Sequence, residues 1–124
     1  MASEEDCPVW ISDDDPFVVV TDPLDGSRNI DSFIPTGTIF GIDNHLVELD
    51  HLPKGEKTML NSFQSGLKLV AVVHVLYSSA SILYTSFGLG THTFTLDHST
   101  GDFILMHPNI KIPPRGQIYS VNDA

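Results

Sequence analysis

Apolar positions along this chain fall into short runs separated by polar turns, and no long helical stretch stands out. Residues 17–21 (FVVVT) are a continuous, β-branched run that predicts a buried strand. DPLDG at 22–26 predicts a turn, with Ser27 placed to N-cap a short helical turn through Asp31. Residues 36–42 (TGTIFGI) predict the next strand, the glycines suggesting close backbone approach. Residues 44–66 are polar, contain Pro53, Gly55 and Gly66, and predict a long surface loop with one helical turn. Four β-rich runs follow at 67–77, 81–87, 91–96 and 103–106, joined by turns such as Gly88-Leu89-Gly90 and DHSTGD. Periodicity alone would allow LKLVAVVHVLY to be a buried helix, but its β-branched content favours a strand, and the set predicts an antiparallel meander. Pro108, Pro113, Pro114 and Gly116 then break the pattern, and a domain boundary is expected near Pro113.

The turn at 22–26 is where the chemistry concentrates. Asp22 and Asp25 stand three residues apart across Pro23, which fixes its own φ and biases Asp22 towards an extended backbone. Two carboxylates and the Leu24 carbonyl, free of an obligatory ladder partner, form a hard-oxygen set suited to Mg²⁺ or Mn²⁺. Gly26 permits close approach of a ligand, and the amides of Ser27 and Arg28 open the helical turn beside it, an arrangement that suits a phosphate. Bare carboxylates repel a phosphate ester; a bound divalent cation inverts that field. Glu4 and Glu5 supply further carboxylates on a segment able to return beside the turn, and two-metal sites of this type hold their ions about 3.5–4 Å apart. Metal-dependent phosphoryl hydrolysis is the reaction class this chemistry names. The plain alternative is an Asx-type turn with capping aspartates.

Composition narrows the partners. A formal net charge of −10 over 124 residues disfavours nucleic acid and anionic membrane, and no apolar stretch has the length of a bilayer span. The start, MASEEDCPVW, is acidic and has no signal or transit character, so a soluble intracellular protein is expected. The single cysteine, Cys7, cannot form an internal disulfide. His45, His51, His74, His92, His98 and His107 show no ligand-like clustering, and His74 is expected to be a hydrogen-bonded core residue.

DPLDGSRNIDSFIPTGTIFGI at 22–42 resembles the signature of the class 1 fructose-1,6-bisphosphatases, in which Ser is commoner where Arg28 stands. SEED at 3–6, LVAVVHVLYSSASIL, TFTLDHSTGDFIL and KIPPRGQIYSVND extend the similarity over nearly the whole chain, apart from 44–66. The shorter D-P-x-D-G-[ST] core also occurs in inositol monophosphatases; the GTIFGI and IYSVN segments separate this chain from them. The resemblance implies an α+β fold, a layered sugar-phosphatase sandwich with a mostly antiparallel sheet, here truncated at both ends. Residues 1–112 would belong to the metal- and phosphate-binding domain, and 113–124 would begin the substrate-binding domain. By the same resemblance Glu4, Asp22, Asp25 and the Leu24 carbonyl are metal ligands, and Glu5 lies near the water of the reaction. Asp25, Gly26, Ser27 and Arg28 meet the 1-phosphate, and Asn122 contacts the 6-phosphate end.

The implied reaction is Mg²⁺-dependent hydrolysis of fructose 1,6-bisphosphate to fructose 6-phosphate and phosphate, in gluconeogenesis or the Calvin cycle, by a family of tetramers. Arg28 and the following Ile-Pro-Thr-Gly are similar to a second plastid type from plants, and 44–66 carries no cysteines for thiol control. That leaves cytoplasm or chloroplast stroma as the compartment. The family's N-terminal helices and most of its second domain have no counterpart here, so the chain resembles an incomplete enzyme. The competing class is an inactive, truncated paralogue that binds metal or phosphate, or pairs with full-length subunits; a sedoheptulose bisphosphatase or inositol-phosphate phosphatase fits the matches less well.

Overall fold

In a computed structural model of the chain, residues 2–3, 12, 15–116 and 118 are described. They form one seven-stranded sheet whose strands lie in chain order, β1-β2-β3-β4-β5-β6-β7. The strands are β1 (Ala2–Ser3), β2 (Phe17–Asp25), β3 (Thr36–Asn44), β4 (Ala71–Tyr77), β5 (Ser81–Ser86), β6 (Thr91–Asp97) and β7 (Asp102–Ile110). β1 pairs with β2 in parallel, and every later neighbour is antiparallel. The expected meander is therefore present, and it extends back through β3 and β2.

Several boundaries differ from the sequence reading, each for a local reason. β2 does not stop at Thr21 but continues through the aspartates to Asp25 by way of a bulge. Ser27 is not an N-cap: Gly26 holds that position in the left-handed region, and the turn is a 3-10 helix over Ser27–Ser32. Pro108 does not end its strand, because β7 is the last strand of the sheet and its register slips near that end, where a missing N–H is tolerated. The run at 67–77 begins with a 3-10 turn, Gly66–Lys68, before β4.

The largest correction falls on 44–66, which is not mainly loop. A 3-10 turn at Val47–Leu49 leads into α1 (Lys54–Ser62), which packs beside β2. α1 buries Lys57, Thr58 and Asn61 while leaving Met59 and Leu60 half exposed. Polar bonds attach this segment. Asp50 Oδ1 lies 2.8 Å from His45 Nε2 and accepts from Lys57 Nζ at 3.3 Å. Desolvation pushes the Asp50 carboxyl up, but the hydrogen bonds and charges of Lys57 and His45 outweigh it, and the group lies below the usual carboxylate range.

The hydrophobic interior is thin. Among the described residues Ala71 is the one buried apolar side chain, and Thr38, Asp43 and Thr93 are buried polar positions in the sheet. Among them, too, no helix is long and apolar enough to cross a membrane.

Candidate functional site

Two residues three apart on a regular strand point to opposite faces, so Asp22 and Asp25 would be separated by the sheet if β2 were regular. The register shows how they are reunited. Asp22 lies opposite Ile39 and Asp25 opposite Gly37, so two β2 residues, Pro23 and Leu24, span the place of one β3 residue, Thr38. This is a bulge, and it adds the one residue needed to bring both aspartates to the face shared by Gly37 and Ile39. Pro23 suits the position because a bulge residue has no ladder bond to donate.

The bulge is held from the other face of the sheet. The Thr38 hydroxyl donates to the Pro23 carbonyl at 2.9 Å and lies 3.0 Å from the Tyr77 hydroxyl. One residue upstream of Asp22, the Thr21 hydroxyl donates to the Ile39 carbonyl at 3.0 Å. Thr38 lies in the GTIFGI segment and Tyr77 in LVAVVHVLYSSASIL, but the sequence reading gave neither residue a role. Their alternation with Gly37 and Leu76 along the predicted strands was the signal that could have placed them on one face.

Asp22 is half buried, and its Oδ1 is a buried oxygen with no hydrogen-bond partner. A carboxylate oxygen buried without a donor is costly unless something cationic meets it, and this is the feature of the site that fits a divalent cation. Asp25 and Leu24 are exposed beside it, and Leu24 has no partner residue in β3. Among the described residues no group of three His, Cys, Asp or Glu side chains gathers to hold a metal. Glu4, Glu5 and Asn122 lie outside the described residues, as does Cys7. Ser3, which Glu4 follows in sequence, lies opposite Thr21, the residue before Asp22.

Beyond Asp25 the chain turns at Gly26, with φ 81° and ψ 16°, a conformation that a Cβ would strain. The Asn29 N–H returns to the Gly26 carbonyl at 2.9 Å, and Ser27 and Arg28 are exposed at the opening of the 3-10 turn. Ile30, Phe33, Ile34 and Pro35 line an open cleft of about 280 Å³ against Tyr77, Ser78 and Ser79. His74 differs from the expected hydrogen-bonded core residue: it is half buried and stacks on Tyr84, with ring centroids 5.7 Å apart.

Known proteins resemble this chain in sequence and in fold. The family model for the fructose-1-6-bisphosphatase N-terminal domain matches residues 1–108. The chain is 50% identical over 108 residues to a cytosolic fructose-1,6-bisphosphatase of Arabidopsis thaliana, an alignment covering 87% of this chain and 30% of that protein. It is 42% identical to a class 1 fructose-1,6-bisphosphatase of Chloroherpeton thalassium, covering 100% of this chain and 35% of the relative. The crystal structure of Leishmania major fructose-1,6-bisphosphatase in holo form superposes with a TM-score of 0.82 at 35% identity, covering 98% of this chain and 39% of that one. The chain thus spans about a third of the length of these curated relatives. A family model that matches 108 of the 124 residues leads to one assignment: the chain belongs to the fructose-1,6-bisphosphatase family.

Proposed function

We propose that this chain carries the cation- and phosphate-binding turn of an enzyme that hydrolyses fructose 1,6-bisphosphate to fructose 6-phosphate and phosphate with Mg²⁺, or Mn²⁺ in its place. The observation that carries this reading is the bulge that sets Asp22 and Asp25 on one face, together with the unpartnered buried Oδ1 of Asp22. Asp22, Asp25 and the Leu24 carbonyl are the proposed cation ligands. Glu4 joins them, in keeping with Ser3 standing beside Thr21. The bound cation supplies positive field where the bare acidic turn would repel a phosphate ester. Gly26, Ser27 and Arg28 then receive the 1-phosphate, Arg28 adding a guanidinium suited to paired phosphate bonds. Glu5 is proposed to lie near the water of the reaction, and Asn122, in the start of a second domain at 113–124, to meet the 6-phosphate.

The names of the plant relatives favour the cytosol over the chloroplast stroma for this chain, and assembly with further subunits is part of the same proposal.

Phosphate release from fructose 1,6-bisphosphate, with Mg²⁺ and with excess chelator, tests the reading. Release that needs Mg²⁺ and disappears in Asp25→Asn supports it. Release that survives the chelator sinks it.

A second reading rests on Asp22 and Asp25 alone, the two carboxylates that the bulge brings to one face. In it the chain binds metal or phosphate without turnover, alone or paired with full-length subunits. Mn²⁺ binding that depends on Asp22, with no phosphate release, would select this second reading.

A further inference from the structure

Thr38 has one hydroxyl proton and two oxygen neighbours. The Pro23 carbonyl accepts only, so at 2.9 Å the Thr38 proton is committed to it. The Tyr77 hydroxyl, 3.0 Å from Thr38 Oγ1, must then be the donor in that second bond. A directional relay results: Tyr77 on β4 donates to Thr38 on β3, and Thr38 donates to the bulge of β2. Thr38 is buried, at 9% exposure, so water does not readily replace these bonds. Thr38 and Tyr77 lie on the face opposite the aspartates, since Thr38 alternates with Gly37 and Ile39, and Tyr77 pairs with Thr36.

We propose that Thr38 and Tyr77 are positioning residues of the carboxylate site: their hydroxyl relay fixes the Pro23-Leu24 bulge from behind and so holds Asp22 and Asp25 on one face at cation-binding geometry. The proposal rests on the reading of Asp22 and Asp25 as cation ligands. A bulge is a two-for-one register that a strand can abandon by slipping one residue, and a slip would send one aspartate through the sheet. Pro23 has no N–H to anchor this place, so its carbonyl is the available anchor. The two side chains touch neither the cation nor the phosphate; they act through the backbone between the two ligands.

The test compares Thr38→Val, Thr38→Ser and Tyr77→Phe with the unaltered 124-residue chain. Mn²⁺ affinity is read by paramagnetic resonance, and the exchange of the Asp25 and Gly26 amides by NMR. Thr38→Val and Tyr77→Phe are expected to weaken Mn²⁺ binding by several-fold and at most about tenfold, the range that loss of one part-buried hydrogen bond sets. Both are expected to speed exchange of the two amides, while Thr38→Ser, which keeps the hydroxyl, restores both readouts. Tyr77→Phe removes one hydroxyl, at the end of the relay, from a residue that is 43% exposed, so it stays informative should Thr38→Val fail to fold. Unchanged amide exchange in Tyr77→Phe would overturn the relay whatever the metal result. Asp22→Asn separates the two claims. If it leaves Mn²⁺ binding intact the cation reading falls, whereas intact binding in Tyr77→Phe beside loss in Asp22→Asn removes only the positioning role.

Discussion

The Asn61 side chain closes on the Leu46 backbone: its Oδ1 accepts the Leu46 N–H at 2.7 Å, and its Nδ2 donates to the Lys57 carbonyl at 2.9 Å. Asn61 is 1% exposed, and its bond to Lys57 is buried while that to Leu46 is partly so. Asn61→Ala leaves the part-buried Leu46 N–H without its acceptor, a loss of about 1 kcal/mol. Urea unfolding should show a lower midpoint, and hydrogen exchange should rise first at Leu46 and along α1. An unchanged midpoint would mean that α1 is held by something other than this side chain.

That same residue explains where sequence reading stopped. The β-rich half of the chain was legible because Val, Ile and Thr cluster there between short turns, and the strands stand where those clusters are. α1 was legible only as one helical turn within a loop, because it presents Lys57, Thr58 and Asn61 inward and Met59 and Leu60 outward, the reverse of an amphipathic signal. In the site, Asp22, Leu24, Asp25 and Gly26 were visible as a motif, but not the bulge. Two aspartates three apart look the same in a turn and in a bulged strand. Only the opposing register of Ile39 and Gly37 tells them apart.

Asp43 is a second carboxylate with a buried, unpartnered Oδ1, and it is 3% exposed on β3. Burial pushes its pKa up, with the charge of Lys68 opposing. A carboxyl whose folded pKa exceeds its unfolded value binds protons more tightly when folded. It therefore costs stability above the folded pKa, and that cost disappears as pH falls towards the unfolded value near 3.8. Asp43→Asn is expected to raise the thermal midpoint at pH 7, with the gain shrinking as pH approaches 4. A gain that is the same at both pH values would exclude the titration as its source.

Gly37 sits between Asp25 on one side and Leu76 on the other. A methyl group there would stand 2.9 Å from the Val75 carbonyl and 2.9 Å from His74 Nε2. The imidazole can swing away, but the carbonyl belongs to the backbone of β4 and cannot. Gly37→Ala should cost about 1–3 kcal/mol of overpacking strain and disturb the pairing that orients Asp25. Gly55→Ala is the contrast: nothing lies within 4 Å of its added methyl, and inside α1 the change should stabilise by about 0.5–1 kcal/mol. Paired urea curves check the opposite signs, and two shifts of the same sign would refute the close approach.

β7 is exposed along its whole length, with Phe103 and Leu105 alternating with Ile104 and Met106, so both faces of this last strand meet solvent. Asp102 is its one charged residue, while six of the sixteen acidic residues lie in the runs at 4–6 and 13–15. Repulsion is thus weak where the apolar edge is open, and a long uncharged edge strand is a template for pairing. The chain on its own should bind an environment-sensitive apolar dye in its native state and show light scattering that rises with concentration. Ile104→Lys with Met106→Lys places two like charges on one face of that strand and should return the chain to monomer with its strand signal in circular dichroism intact. Scattering that stays flat in the unaltered chain, or that persists in the doubly charged variant, would show that β7 is not the surface through which copies meet.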